Sequence, residues 1–225
     1  MNKIMHIYET LLSTYGKQGW WPVTPKGGSR PRYGEPVRTK RQRFEVVLGA
    51  ILTQNTSWKN AESAIINLNR HGLVDAKALA AMSADEIAPL IRSARYYNQK
   101  AKKIKAYLDY KGPIEREGLL GIWGLGPETV DSMLLYAFGI PSFVVDAYTR
   151  RYFSALGCIS ADAPYDTIKA VFETAVSEAL DATGDVPAVR EKRRGEIYNE
   201  YHALIVEHAK QYYSRKPYGV NDPTV

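Results

Sequence analysis

The sequence predicts an all-α protein, and two observations lead to this prediction. Apolar residues recur at the spacing of amphipathic helices through most of the chain, whereas stretches that would indicate strands are few. Capping residues, glycines and prolines separate the periodic stretches, which gives about ten short helices. The 225 residues suffice for one domain, or for two small domains that share a cleft.

The N-terminal part of the chain predicts one helix followed by a basic loop. Residues 3–15 carry apolar side chains at helical spacing. Trp20-Trp21-Pro22 should not continue a helix, because a residue that precedes proline avoids helical backbone angles. Residues 23–43 hold three prolines, three glycines and many Lys and Arg with a single acid. We predict a long, poorly ordered basic loop there, either a solvated linker or an arm that lies near phosphate.

The rest of the chain predicts a series of helices with recognisable starting residues. Residues 44–52 have the apolar pattern of a buried helix, and Ser57 is placed to cap the next helix, which starts near Trp58. Ser83 has the capping-box spacing to the acid three residues later. The remaining helices are predicted over residues 76–82, 87–91, 98–110, 146–156, 165–181 and 190–215.

Residues 119–130 read Leu-Leu-Gly-Ile-Trp-Gly-Leu-Gly-Pro-Glu-Thr-Val and predict a helix–hairpin–helix motif. Gly124 and Gly126 allow the backbone to turn sharply and to approach a ligand closely. Pro127 suits the first position of the second helix, whose free N–H groups can hold a phosphate. The candidate phosphate contacts are Gly124, Gly126, Thr129 and, beyond the hairpin, Arg150.

One carboxylate, Asp146, follows the apolar run Phe143-Val-Val and lies twenty residues after Gly126. Aspartate is a favoured N-cap, so the plain interpretation is a helix start. A cap at the mouth of a cleft is also partly desolvated and fixed in direction, which suits a catalytic carboxylate. Both interpretations can hold together.

Charge and aromatic content indicate the class of partner. The net charge of +6 and a pI near 9.2 favour a polyanion, and sixteen Tyr with four Trp suit a partner that has bases as well as phosphates. No apolar run is long enough for a membrane span, and the first residues lack the apolar core of a secretory signal. We therefore expect a cytoplasmic, nucleoid-associated protein.

The hairpin followed by Val-Val-Asp resembles the helix–hairpin–helix DNA glycosylase superfamily of the endonuclease III type. The resemblance implies that Asp146 is the catalytic carboxylate and that Gln54, in Leu52-Thr53-Gln54, is a wedge beside a flipped nucleotide. It also implies two helical domains that flank a DNA-binding cleft, with Asp146 and Trp58 facing each other across it. Residues 38–139 would form one domain, and residues 1–37 with 140–225 the other.

Two departures from that superfamily affect the expected chemistry. Bifunctional members carry a Schiff-base lysine at the second position after the hairpin's last glycine, and Glu128 stands there in this chain. A carboxylate cannot form an imine with the sugar, so the usual lyase route should be absent. Many members also bind an iron–sulfur cluster through four cysteines, whereas Cys158 is the single cysteine here. The histidines show no metal-ligand spacing, so we expect neither cofactor nor metal.

A closer resemblance is to the cluster-free 3-methyladenine DNA glycosylase III subgroup. It is carried by Trp20-Trp21-Pro22, Leu52–Thr56, Tyr97–Lys102 and Ile205–Gln211. It implies that the alkylated base stacks in a pocket made by Trp20, Trp21, Pro22, Trp58 and Lys210. Ala203 occupies the position at which that subgroup has a carbamylated lysine.

These expectations combine into a leading hypothesis and two rivals. The leading one is a monomeric, monofunctional glycosylase that removes alkylated purines, 3-methyladenine first, from double-stranded DNA. A lyase acting on oxidised pyrimidines through Lys210 or a nearby lysine is the first rival, and a non-catalytic DNA-binding module is the second. The plain alternatives for single residues are core packing for the tryptophans and solvated surface for Lys210 and the basic helix faces.

Overall fold

The computed structural model describes residues 2–224, and its regular elements there are helices. The described residues contain no strand, only one isolated antiparallel bridge between Val23 and Arg32. The all-α prediction is therefore confirmed. No helix in this part of the chain combines the length and the hydropathy needed to cross a bilayer.

Eleven α-helices, one 3₁₀ segment and one π-helical turn follow one another along residues 2–224. The helices are α1 Lys3–Tyr15, α2 Lys40–Thr53, α3 Trp58–Arg70, α4 Ala76–Ala81, α5 Ala84–Ile87, α6 Tyr97–Asp109, α7 Arg116–Leu120, α8 Pro127–Ser132, α9 Ala147–Ala155, α10 Tyr165–Asp181 and α11 Pro187–Tyr212. The 3₁₀ segment is Ala88–Ala94 and the π-helical turn is Met133–Phe138.

The chain divides into two compact units. The internal unit is Trp21–Gly139, and the terminal unit combines the residues up to Trp20 with those from Ile140 onward. This division differs from the predicted one, because residues 21–37 belong with the internal unit. Backbone bonds between Val23 and Arg32, together with bonds from Thr24 to Glu45 of α2, attach this segment there.

Helix α2 is the centre of the internal unit. All of its residues from Phe44 to Leu52 are buried, and it packs against α3, α6, α8 and the π-helical turn. Thr39 and Gln42 form a capping box at its start, and Gln54 is its C-cap residue. A helix buried on all sides needs apolar residues around its whole circumference, which explains why its sequence shows little amphipathic bias.

The segment of residues 23–43 differs from the predicted loop in two respects. The last four residues of the segment already belong to α2, and its first two, Val23 and Thr24, are buried. The backbone N–H and the hydroxyl of Thr24 both donate to Glu45 Oε1 at 2.7 Å. Burial raises the pKa of Glu45, and the bonds from Thr24 and Arg41 oppose that rise. The buried carboxylate therefore needs Thr24 as a donor, which fixes one end of the loop.

In the terminal unit, the N-terminal helix packs against the C-terminal part of the chain. The side chain of Asn2 caps α1 and also donates to the carbonyl of Ala175 at 3.2 Å. Tyr201 of α11 donates to the carbonyl of Ile4 at 2.6 Å. Stacked Phe143 and Phe172, with ring centroids 4.3 Å apart, lie in the aromatic core of this unit.

A buried polar network attaches the residues after α11 to the terminal unit. Asp222 accepts a 2.7 Å bond from Tyr213 Oη and lies 3.1 Å from His208 Nε2. The other nitrogen of His208 is 2.9 Å from Tyr15 Oη, and Thr224 donates twice to Asp222 Oδ1. Each polar group of the network has a partner, as burial requires.

Candidate active site

The sequence-predicted carboxylate Asp146 is the N-cap of α9. Its Oδ1 accepts hydrogen bonds from the Thr149 N–H at 2.7 Å and from the Thr149 hydroxyl at 2.9 Å. The preceding residues Phe143–Val145 are buried, so the apolar run fixes the chain just before the cap. The side chain of Asp146 is 15% exposed. One carboxylate oxygen is thus committed to the helix, while Oδ2 takes no part in the cap.

His202 of α11 lies beside that second oxygen, and sequence reasoning had considered it only as a metal ligand. Its Nε2 is 3.8 Å from Asp146 Oδ2, and its side chain is 12% exposed. Burial lowers the pKa of His202, and the nearby Asp146 carboxylate opposes this shift. Burial therefore favours the neutral form of this imidazole. His202 is far from Asp146 in the sequence, because α9 and α10 lie between them. No local sequence pattern could therefore link the two residues.

Two predicted pocket residues from opposite ends of the chain meet in the terminal unit. Lys210 Nζ lies 5.9 Å from the ring centroid of Trp20, within the range of a cation–π contact. The same ammonium is 3.9 Å from Glu207, and Lys210 is exposed. Trp20 is half-buried. These positions place a cation and an indole face together in this unit.

The other predicted pocket residues lie in the internal unit. Trp21 is 7% exposed and packs edge-on against Trp58, with ring centroids 5.5 Å apart, and against Tyr136. A Cβ on Gly49 would lie only 2.9 Å from Trp21 Nε1, so α2 has a glycine where the indole passes. Pro22 is buried as well, whereas Trp58 is half-buried at the start of α3. The geometry favours core packing for Trp21 and an accessible indole for Trp58.

The predicted helix–hairpin–helix is formed by α7, α8 and the turn between them. Gly124 has φ +83°, a conformation that favours glycine, and a Cβ there would lie 2.7 Å from Lys103 Cγ. Gly126 is the extended N-cap of α8, and a Cβ there would contact nothing within 4 Å. Arg116 of α7 donates to Asp131 of α8 at 2.9 Å, which joins the two helices. The two glycines therefore have different reasons for lacking a side chain.

Gln54, the predicted wedge, is bonded to the hairpin. Its Nε2 donates to Thr129 Oγ1 at 2.8 Å and to the Gly124 carbonyl at 3.3 Å, and Lys103 donates to its Oε1. Thr129 is buried and bonded to Gln54, so the structure gives its side chain a role inside the internal unit. A pocket of about 210 Å³ adjoins this cluster, lined by Gln54, Asn55, Tyr96, Gln99, Lys100 and Lys103.

Lys100 is a buried amine that sequence reasoning did not distinguish from its neighbours. Its Nζ donates to the carbonyls of Leu52 and Ala94 at 2.7 and 2.6 Å. Burial, assisted by the charge of Lys103, lowers the pKa of Lys100 to about 8. Because two main-chain carbonyls hold the amine, it contributes to the packing of α2 and α6.

The remaining predicted site residues occupy distinct positions. Arg150 donates to the carbonyls of Ala161 and Ala163 at 2.9 and 2.6 Å, so its guanidinium stabilises a turn of its own unit. Glu128 is exposed in the first turn of α8. Within residues 2–224 no group of three His, Cys, Asp or Glu side chains could hold a metal ion. The one cysteine, Cys158, cannot supply the four thiolates of an iron–sulfur cluster.

Comparison with known proteins adds to this geometry. A family model for the HhH-GPD superfamily base excision DNA repair protein matches residues 48–178. A Methanocaldococcus jannaschii protein, provisionally named a DNA repair glycosylase, is 42% identical over 98% of this chain and 93% of its own length. The H. pylori 3-methyladenine DNA glycosylase bound to 1,N6-ethenoadenine gives a TM-score of 0.72 at 25% identity, covering 93% of this chain and 98% of that one. A trapped endonuclease III–DNA covalent intermediate shares the fold, with a TM-score of 0.66 at 15% identity over 96% and 90% of the two chains.

Proposed function

Since the chain belongs to the HhH-GPD superfamily of base excision DNA repair proteins, we propose that it is a monofunctional glycosylase for alkylated purines, 3-methyladenine first. The family makes it a DNA glycosylase, whose partner is DNA with a damaged base. Beyond this family function, we propose two things: that the base removed is an alkylated purine, and that lyase activity is absent.

Asp146 is the observation that carries the proposal. A glycosylase must hold its base outside the stack, because the anomeric carbon is shielded inside the duplex. When the C1′–N bond breaks, its electron pair stays with the base, and positive charge develops on the sugar. A carboxylate with one oxygen fixed by a helix cap and the other uncommitted by that cap can stabilise this charge and direct water to C1′. Water supplies the hydroxyl group at C1′ and its remaining proton passes to the carboxylate or to solvent, so the products are the free base and an abasic sugar.

Alkylation of the purine makes it a better leaving group. A purine alkylated at N3 or N7 is cationic, so it leaves as a neutral base and needs little help from a general acid. Such a ring gains about 0.5–2 kcal/mol over a neutral base from an indole face. The half-buried indoles of Trp20 and Trp58 are the proposed sources of this selectivity. The ethenoadenine bound by the H. pylori protein is a modified purine, which supports the same class of substrate.

Glu128 supports hydrolysis in place of lyase chemistry. It stands at the position that bifunctional members use for an imine-forming lysine, and a carboxylate cannot act as that nucleophile. The low-pKa amine of Lys100 donates to two main-chain carbonyls, so it does not offer a replacement. Borohydride treatment with abasic DNA should therefore trap no covalent adduct, whereas a trapped adduct would favour the lyase alternative.

The decisive test is chromatography of the bases released from methylated DNA by the wild type and by Asp146→Asn. We expect the wild type to release 3-methyladenine and the variant to lose at least about 100-fold in rate, because a charge that stabilises the transition state is removed. Asparagine caps helices as well as aspartate does, so the fold and DNA binding should persist. Release at an unchanged rate by the variant would contradict the mechanism. Binding to duplex without release of any base would indicate a non-catalytic module.

A further inference from the structure

The basic loop between Val23 and α2 exposes cations that the catalytic proposal does not use. We call residues 25–38 the basic arm. Lys26, Arg32 and Arg38 in it are exposed, and their side chains make no hydrogen bond or ion pair with any residue from 2 to 224. Arg30 reaches Glu62 at 3.6 Å, and Glu35 is the only acid of the arm. Cations without partners beside so little negative charge form a surface suited to a polyanion.

The arm is held in place at both ends. At its start, the N–H of Val23 donates to the Arg32 carbonyl at 3.2 Å, and the N–H of Arg32 donates back at 3.0 Å. At its end, the N–H of Arg38 donates to Gln42 Oε1 at 3.0 Å. A solvated linker needs no such attachment. Because the ends are fixed, a ligand that meets these cations pays less of the entropy cost of ordering a free loop.

We propose that the basic arm binds phosphates of duplex DNA that flanks the damaged nucleotide. The occupant follows from charge complementarity and from the family's action on DNA. The inference rests on the DNA-glycosylase part of the proposed function, and it is independent of which base is removed.

Helix α2 sets the distance between the arm and the proposed wedge. The arm precedes the first turn of α2, and Gln54 follows its last residue. The 14 residues of α2 span about 21 Å at about 1.5 Å per residue. This length equals the rise of about six base pairs of B-DNA at about 3.4 Å each. With α2 aligned along the duplex, Arg38 would meet phosphates about six base pairs from the lesion, on one side of it, and this is the distance that the second experiment below tests.

The first experiment measures the salt dependence of binding to a duplex that contains a tetrahydrofuran abasic-site analogue. The variant Lys26→Gln/Arg32→Gln/Arg38→Gln is compared with Arg70→Gln/Lys77→Gln/Lys192→Gln, which removes three exposed charges outside the arm. Each phosphate contact contributes about 0.9 to the magnitude of the slope of log affinity against log salt. Loss of three contacts in the arm variant should therefore reduce this slope by up to about 2.7. The slope of the control variant should fall by less than the amount expected for one phosphate contact, about 0.9. Equal slopes for the two variants would overturn the proposal.

The second experiment locates the contact by shortening the duplex on one side of the lesion at a time. The affinity gap between wild type and arm variant should disappear when one particular flank becomes shorter than about six base pairs, and it should persist when the other is shortened. A gap that survives both truncations would refute a flanking contact. The duplex has no base to release, so a failure of the alkylpurine proposal leaves these results unaffected. Melting temperatures of both variants check that each is folded.

Discussion

The pair formed by Asp146 and His202 is the main feature at the scale of single residues. A neutral imidazole places no opposing positive charge beside the Asp146 carboxylate, which suits the role proposed for Asp146 at an emerging sugar cation. A protonated imidazole would place a positive charge 3.8 Å from Oδ2 and would offset part of the carboxylate's negative charge. The burial that lowers the pKa of His202 therefore disfavours an opposing positive charge beside this carboxylate.

This burial has a consequence for stability in mild acid. The pKa of His202 is lower in the folded protein than its ordinary value of 6.5, so below that pH the unfolded chain binds more protons. The free energy of unfolding should thus fall as the pH drops below about 6.5. We expect His202→Gln to show a smaller fall than the wild type in urea titrations at about pH 7.5 and about pH 5.

The control for this measurement is His6→Gln, because His6 is an exposed histidine of the same unit. It should retain the acid sensitivity of the wild type. If His202→Gln and His6→Gln lose stability to the same extent on acidification, His202 is not the responsible group.

The sequence predicted some of these residues and not others, for a physical reason. Asp146 follows a buried apolar run and precedes a helix, so its cap could be predicted from neighbouring residues. His202 reaches Asp146 only because α9 packs against α11, a contact that no local pattern records. The packing of Trp21 likewise depends on Gly49, which lies in another helix.

At the scale of elements, the hairpin contains two glycines with different functions. Gly124→Ala would force a side chain into a left-handed conformation and against Lys103, so we expect a loss of about 1–3 kcal/mol in unfolding free energy. At Gly126 the added methyl group meets no protein atom, and the loss comes only from alanine being a poorer N-cap than glycine, which should cost at most about 1 kcal/mol. Urea unfolding of both variants measures the difference.

The effect of Gly126→Ala on DNA affinity should be larger than its small effect on stability suggests. If the backbone of Gly126 approaches a phosphate, the methyl group added in Gly126→Ala should weaken DNA binding strongly, although it changes the unfolding free energy only a little. Duplex binding by Gly126→Ala at wild-type strength would remove this glycine from the proposed phosphate contacts.

The bounds of a helix can be predicted from the sequence when neighbouring residues determine them. Residues 165–181 were predicted as a helix with the bounds observed for α10, and residues 3–15 match α1. Ser57 is the N-cap of α3 as predicted, although its side chain makes no capping hydrogen bond. The loop over residues 23–43 was wrong at its ends, because burial of Val23 and Thr24 against α2 is a tertiary effect that composition does not encode.

At the scale of the whole molecule, the network around Asp222 holds the C-terminal residues in the terminal unit. Burial opposes ionisation of Asp222, but hydrogen bonds from Thr224, Tyr213 and His208 outweigh it and lower the pKa. Asp222→Ala leaves several buried partners without an acceptor, so we expect a loss of about 1–3 kcal/mol. Thermal unfolding should show a melting temperature lower by several degrees, about 2–4 °C per kcal/mol.

Asp162→Ala is the matched control, because Asp162 is an exposed acid of the same unit. Its melting temperature should stay close to that of the wild type. Equal shifts for the two variants would show that the network adds nothing beyond the loss of one negative charge.

The bonds from Asn2 to Ala175 and from Tyr201 to Ile4 join residues 173 and 197 positions apart. During synthesis, α1 leaves the ribosome long before its partners in α10 and α11 exist. Residues 21–139 form the other unit, and each contact inside it joins residues that are closer in sequence than these two pairs. The nascent chain therefore carries α1 without its packing partners until α10 and α11 have emerged, so the apolar face of α1 stays exposed to solvent during that interval.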